Sequence, residues 1–374
     1  MRKTFKYRLL ANKETFANAE NWLELMRKLY NAALAQRLLA WKYNKYSINY
    51  QSQQNELPQL RKEIPEYANI NAQTLRTPLH RVDLAFKHFF TNCKKNKGKC
   101  GFPRFKGINR FHSFTMESNG WKLDGKYLTI RNVGKFKIRL SRPIDGDIKQ
   151  ITIRKESTGK WYVCFSCDNV PESKLESCDK SVGIDVGITT FCTDSDGNTF
   201  ENPKYFRQSE KGLRIRQRKL ARCKRGSNRR NKTRLLVAKA YEKVSDQRND
   251  FLHKVVNHYI TNYGVICIED LNIKGMVRNH NLAKSISDSS WGKFFEFLKY
   301  KAEEAGTREI IKIDRFEPSS KTCSVCGLIN DNLKLSDRKW ICLGCETVHD
   351  RDFNAAKNIK RVGQTLQTLT YNSS

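Results

Sequence analysis

Two short hooks, Cys323-x2-Cys326 and Cys342-x2-Cys345, separated by fifteen residues, constrain this chain more than any other feature. Each hook turns sharply enough to aim both sulfurs at one point, and the pair closes a tetrahedron of thiolates suited to zinc. Gly327 follows the first hook and Gly344 lies inside the second, where tight turns need backbone freedom. The spacing predicts one structural zinc ion. A four-thiolate site leaves no open position for water, so this ion serves folding rather than chemistry. Within a few residues stands His349-Asp350-Arg351-Asp352, an acidic string beside the clip.

The remaining cysteines point to a reducing compartment. Cys93, Cys100, Cys178, Cys192, Cys223 and Cys267 are scattered, no secretory signal opens the sequence, and 374 residues bury a core without cross-links. A cytoplasmic protein is expected. Cys164-x2-Cys167 mimics another hook, but it sits in Trp161–Cys167, which reads as a strand, and positions three apart on a strand face opposite ways.

Lys and Arg total 70 against 38 Asp and Glu, a formal charge of +32. A polyanion neutralises such self-repulsion, and nucleic acid is the obvious one. No long apolar run or isolated lipid-facing amphipathic helix supports a membrane partner.

Residues 4–9 alternate apolar and basic side chains as a half-buried strand does. A helix follows, capped by Asn12, with Phe16, Ala19, Leu23, Met26, Tyr30, Ala33 and Leu34 on one face. A second helix is predicted over 71–92. Residues 94–110 turn Gly-, Lys- and Pro-rich like a linker. Strands bounded by Asp124-Gly125, Asn132-Val133-Gly134, Asp145-Gly146 and Ser157-Thr158-Gly159 then suggest a small β-barrel. The opening strand is expected to complete that barrel, which makes the helices an insertion. From Ser181 the architecture changes. Val182–Gly187 reads as a buried strand, a hairpin surrounds Ser195-Asp196-Gly197, and Val265–Asp270 and Glu309–Asp314 follow as apolar strands. With a helix over 290–305 and a last helix over 352–361, the order gives an RNase H-like mixed sheet.

In such a sheet, phosphodiester cleavage needs hard oxygen ligands for two divalent ions about 4 Å apart. Asp185 and Glu269 end apolar strands, and Asp352 opens a helix whose Ala355 and Ala356 permit close packing. Asp185 is expected to bridge both ions while Glu269 and Asp352 each complete one shell. The ions are expected to be magnesium, with manganese as a substitute. Asp270 and Asp350 are weaker candidates.

Gly183-Ile184-Asp185-Val186-Gly187, Ile268-Glu269-Asp270-Leu271, Ser319–Gly327 and His349–Ile359 together resemble the RuvC and zinc-ribbon motifs of TnpB, a family of transposon-encoded RNA-guided nucleases related to compact type V CRISPR effectors. Gly101–Lys106 and Phe5–Leu9 are similar to its N-terminal half. The resemblance implies a multidomain α/β protein. A wedge β-barrel (1–10 and 106–180) would carry an inserted helical recognition domain (11–105). A RuvC-like nuclease domain (181–320 and 348–362) would carry an inserted zinc ribbon (321–347), and 363–374 would form a tail. It also implies Asp352 rather than Asp350 as the ligand, a guide RNA derived from the transposon end, and target double-stranded DNA beside a short flanking motif, with both strands cut in one site. The intact acidic triad disfavours a guided repressor that does not cut; an unguided structure-specific RuvC nuclease is the other alternative.

Residues 207–234 are densely basic. Arg214, Arg218, Arg222, Lys224, Arg225, Arg229 and Arg230 are expected to track phosphates, with affinity falling steeply as salt rises.

Overall fold

The computed structural model describes residues 1–95, 101–172, 174–334 and 336–372. Cys100 and the middle of the Gly/Lys-rich stretch lie outside them. The described chain divides into two units, Met1–Pro171 and Glu172–Ser374.

The first unit opens with β1 (Lys3–Leu10), then α1 (Lys13–Asn44), α2 (Tyr50–Asn55), α3 (Leu57–Glu63), α4 (Pro65–Ala68) and α5 (Ala72–Lys95). Six strands follow: β2 (Ser113–Met116), β3 (Trp121–Asp124), β4 (Tyr127–Ile130), β5 (Gly134–Arg139), β6 (Asp147–Lys155) and β7 (Trp161–Asp168). They form one antiparallel sheet of order β2-β6-β7-β1-β5-β4-β3. The opening strand therefore lies in the middle, with Phe5 opposite Phe165 and Leu9 opposite Ile138. Alternation explains why it belongs there: Phe5, Tyr7 and Leu9 are buried while the residues between them are not. The helices enter between β1 and β2. Asn12 caps α1 by accepting the Thr15 N–H at 2.8 Å. Ala19, Leu23, Met26, Tyr30, Ala33 and Leu34 are buried in a core shared with Phe114, Phe136 and Phe165. Each of the large apolar side chains contributes roughly 1.5–3 kcal/mol relative to exposure, the alanines less.

Three expectations change here. Closure of the barrel does not occur in the hydrogen bonding among the described residues, where β2 and β3 remain the two edges. The four-residue β3 exposes Lys122 and Asp124 and pairs only with β4. The short helices α2–α4 were not visible in the sequence pattern. The boundary falls at 171 rather than 180, because the next residues already bond into the second unit: Leu175 N–H donates to Ala305 O at 3.2 Å, and Arg308 donates to Glu176 O at 2.6 Å. As expected, Cys167 is buried on one face of β7 while Cys164 lies on the other.

The second unit begins with β8 (Ser181–Val186), β9 (Thr190–Asp194) and β10 (Thr199–Glu201), continues through α6 (Tyr205–Arg222) and α7 (Asn228–Asn262), and returns to β11 (Val265–Glu269). Next come α8 (Ile273–Met276), α9 (Ala283–Ser289), α10 (Trp291–Ala305), β12 (Glu309–Ile313), β13 (Lys339–Ile341), β14 (Val348–Asp350) and α11 (Arg351–Asn372). Five strands take the order β10-β9-β8-β11-β12, antiparallel through β8 and parallel from β8 to β12. This is the mixed sheet expected from the order of elements.

Period-two alternation sorts its two faces. Val182, Ile184, Ile266 and Ile268 join the core built with Leu252, Val256 and Tyr259 of α7 and Phe294 and Leu298 of α10. Gly183, Asp185, Cys267 and Glu269 lie at the alternate positions, and α11 covers that side. Contact there is backbone-close: a Cβ on Gly183 would sit 2.2 Å from Ala356 O, and one on Gly363 would sit 2.3 Å from Cys267 Sγ. Glycine is required at both crossings. The expected tail is helical, because α11 continues across the strands, with Gln364 donating to Ser181 Oγ at 2.8 Å and Gln367 to Glu309 at 2.6 Å.

Candidate functional site

The parallel register pairs Ile268 with Ile184, so the next residues, Glu269 and Asp185, end neighbouring strands on the side that α11 covers. Asp352 stands in the first turn of α11. Asp185 feels both of the other acids. The Asp185 carboxyl is pushed well above the usual carboxylate range, first by burial and then by the charges of Glu269 and Asp352. Burial also raises Glu269, opposed by the Ser319 hydroxyl, which donates to it at 2.6 Å. Like charges gathered at partly buried positions call for cations, and hard carboxylate oxygens suit magnesium or manganese.

The neighbouring acids have other work. Asp350 caps α11, accepting the Phe353 N–H at 3.1 Å, which leaves Asp352 uncommitted to the helix end. Asp270 is exposed and ion-paired with Arg315 and, at 3.6 Å, with Lys312; the Arg315 hydrogen bond leads in lowering its carboxyl.

Arg338 went unnoticed in the sequence. Its guanidinium donates to both Asp352 oxygens at 3.3 and 3.2 Å and to Thr189 Oγ1 at 3.3 Å. It stands directly before β13, so its position beside the acid arises from the clip and no motif spacing announces it.

The four cysteine sulfurs lie within 4.8 Å of one another; among the described residues they are the group of metal-ligating side chains gathered so tightly. Cys326 and Cys342 sulfurs are 3.4 Å apart and those of Cys323 and Cys345 3.6 Å, against about 3.8 Å for the edge of a tetrahedral zinc–thiolate site. The Cys345 thiol is pulled to about 6, chiefly by the Thr347 hydroxyl and N–H, which favours the ligating thiolate. The donor set fits zinc. His349 packs against Trp340 at a tilt of 36°, with centroids 4.7 Å apart, and brings Nε2 to 3.1 Å from Cys323 Sγ.

Two buried asparagines tie this clip to the acidic helix. Asn354 donates to Thr322 O at 2.7 Å and accepts from Ser324 N–H at 2.9 Å. Asn358 donates to Ser319 O and Thr322 O at 2.8 and 2.6 Å. Ser319, which orients Glu269, and Asp352 are thus fixed to one scaffold.

The basic residues of 207–234 line a helical hairpin of α6 and α7. Ser227 caps α7, accepting Arg230 N–H at 3.2 Å, so the segment around Gly226 is a turn rather than a loose loop. Arg218, Arg222, Lys224, Arg225 and Arg229 are exposed, without an acidic partner among the described residues. Arg214 pairs with Glu210 at 3.3 Å. The Arg230 guanidinium donates to Leu220 O and Cys223 O at 2.9 and 3.1 Å, satisfying C-terminal carbonyls of α6. At the other end of α6, buried Asp288 accepts Phe206 and Arg207 N–H groups and pairs with Arg248 at 2.6 Å.

Comparison with known proteins matches this layout. Residues 164–280 fit the family model described as a probable transposase, OrfB_IS605, and residues 291–359 fit the Cas12f1-like TNB domain. A putative RNA-guided DNA endonuclease of Streptomyces pristinaespiralis is 32% identical over 370 residues, covering 97% of this chain and 90% of that protein. Another, InsQ of Escherichia coli, is 27% identical over 312 residues, covering 79% and 75%. In fold, the chain is similar to a Cas12f1 solved with sgRNA and target DNA, with a TM-score of 0.58 at 14% identity, covering 96% and 98%. The class so defined is that of compact RNA-guided nucleases. Within it, the chain belongs to the TnpB family.

Among the described residues, no helix is long and apolar enough to cross a membrane.

Proposed function

We propose that this chain is an RNA-guided endonuclease that cuts double-stranded DNA, with a transposon-derived guide RNA pairing to one target strand beside a short flanking motif. The curled sheet of the first unit is read as the wedge, α1–α5 as its recognition insertion, and the second unit as an RNase H-like RuvC domain with an inserted zinc ribbon. The convergence of Asp185, Glu269 and Asp352 on one side of the mixed sheet carries the reading. Base pairing supplies the sequence specificity, while the protein reads the short flanking motif and the shape of the heteroduplex.

Two magnesium ions, when bound, supply the charge that activates the attacking water and stabilises the leaving oxygen. Asp185, Glu269 and Asp352 would hold these ions, with Asp185, the acid on which the other two charges act, as the shared ligand. Ser319 fixes the Glu269 oxygens, and Arg338 holds Asp352 while offering donors where phosphate charge develops. Such hydrolysis leaves a 5′-phosphate and a 3′-hydroxyl. The two strands enter the single site in turn. Exposed cations of the α6–α7 hairpin track the backbone of the RNA or of its hybrid with DNA.

Sequencing the RNA that copurifies with the protein, then offering double-stranded DNA matched to its variable end, tests the proposal. One discrete RNA and magnesium-dependent cutting only of the matched DNA are expected. Cleavage by RNA-free protein would overturn the guided reading.

A further inference from the structure

Residues 84–112 hold eight Lys or Arg and not one Asp or Glu, and the RuvC and zinc motifs leave this stretch without a role. Its described part is no slack linker. Asn31 and the Lys106 backbone exchange hydrogen bonds, Asn31 Nδ2 to Lys106 O at 2.9 Å and Lys106 N to Asn31 Oδ1 at 2.8 Å. Arg27 adds a third to Lys106 O at 2.9 Å, its guanidinium oriented by Glu24. On one side Phe102 wedges edge-on between Phe86 and Phe89, with centroids 5.7 and 5.0 Å away. On the other, Arg110 N–H closes a turn onto Gly107 O and Phe111 is buried.

Between these anchors the loop turns aromatic rings outward. Phe105 is 55% exposed and packs on no other ring among the described residues, while Phe102 and Phe90 remain 44% and 57% exposed. Arg104 is exposed beside them. A loop pinned at both ends that holds apolar rings in water, in a segment with cations and no acid of its own, is pre-organised for a ligand with a flat apolar face and a negative backbone. An unpaired nucleotide has both.

We propose that the loop 101–110 is a stacking platform for an unpaired base of the bound RNA, with Phe105 as the stacking ring and Arg104 on the adjoining phosphate. This rests on the RNA-guided reading. RNA is the favoured source because folded RNAs present splayed bases in loops and bulges from the start, whereas target DNA has unpaired bases only after the guide has opened it.

Two measurements on the full-length protein test it. In the first, anisotropy titrations across a salt series compare single-stranded RNA with a fully paired RNA duplex. Phe105→Ala is expected to weaken single-strand binding about tenfold with the salt slope unchanged and duplex binding intact. Phe105→Tyr is expected to restore it, and Arg104→Ala to flatten the slope by about 0.7. In the second, the copurified complex with target DNA added is irradiated with ultraviolet light and its peptides are sequenced. A ribonucleotide adduct at Phe105 is expected.

Unchanged affinity in Phe105→Ala, or an equal loss on duplex, overturns the platform. A deoxyribonucleotide adduct moves it to the DNA, and loss of self-association with RNA affinity intact moves it to a second copy of the chain; either result overturns the assignment to RNA. Failure of the wild type to bind any RNA sinks the guided reading itself, a different result from a silent Phe105 variant.

Discussion

The cysteine clip and the carboxylate cluster stand beside one another yet solve opposite problems. Four soft sulfurs gather within bonding reach of one ion and leave it no open position. The acids gather less tightly, and Arg338 already neutralises part of their charge. A structural site is closed and complete, whereas a hydrolytic site must keep room for water and substrate. Asn354 and Asn358 join the two, so the clip sets where Asp352 stands.

Asp185→Ala is expected to give the largest effect, lowering cleavage on the order of a thousandfold, or roughly 4 kcal/mol of barrier, with guided DNA binding retained in a gel-shift assay. Equal cutting by this variant would break the contrast outright. Cys342→Ser attacks the other site: zinc content by metal analysis should fall from one per chain to none, with cleavage down more than about tenfold through loss of the Asn354 anchor. A metal-free ribbon that stays folded would show the clip to be dispensable.

Arg338→Ala sharpens the comparison from the acid side. Cleavage is expected to drop about tenfold with RNA and DNA affinity unchanged, since the arginine acts on Asp352 and the reacting phosphate.

The raised carboxyls of Asp185 and Glu269 make a pH prediction. An acid whose folded pKa lies above its unfolded value, about 4 for these side chains, binds more protons when folded, so stability is lost as pH climbs from the unfolded value through the folded one. Zinc-loaded, magnesium-free protein should melt lower as pH rises through that window, and Asp185→Asn should raise the midpoint by about 3 °C at neutral pH. Because binding requires deprotonation, the magnesium needed for half-maximal cutting should rise as pH falls. A flat profile in both measurements would mean that the acids do not crowd. Arg230→Ala should have the smallest effect, a loss of about 1 kcal/mol in thermal unfolding as α6 loses its cap, without a change in the salt slope of RNA binding.

Much of this was legible in order. Alternation marked β1, apolar runs marked β8 and β11, Asn12 announced α1, and the hooks announced the clip, because local periodicity and short spacing survive in one dimension. The paired strand ends at Asp185 and Glu269 were legible because parallel neighbours bring equivalent termini together. The carbonyl contacts of Arg230 were not legible, because Leu220 and Cys223 meet its guanidinium only once α6 and α7 fold back on one another. The helical tail was missed because its polar residues find their partners, Ser181 and Glu309, only after the sheet has formed.

Sequence alone determined the order of the main strands and long helices, the charge, the two cysteine hooks and the three candidate acids. Tertiary structure decided that the sheet of the first unit keeps two edges, that Asp350 caps while Asp352 is left available, and that Arg338 meets the acids from across the clip. The physical reason is reach. Periodicity and spacing are properties of neighbours along the chain, whereas the partner of a guanidinium or a strand edge is set by segments far away in sequence, whose approach depends on packing.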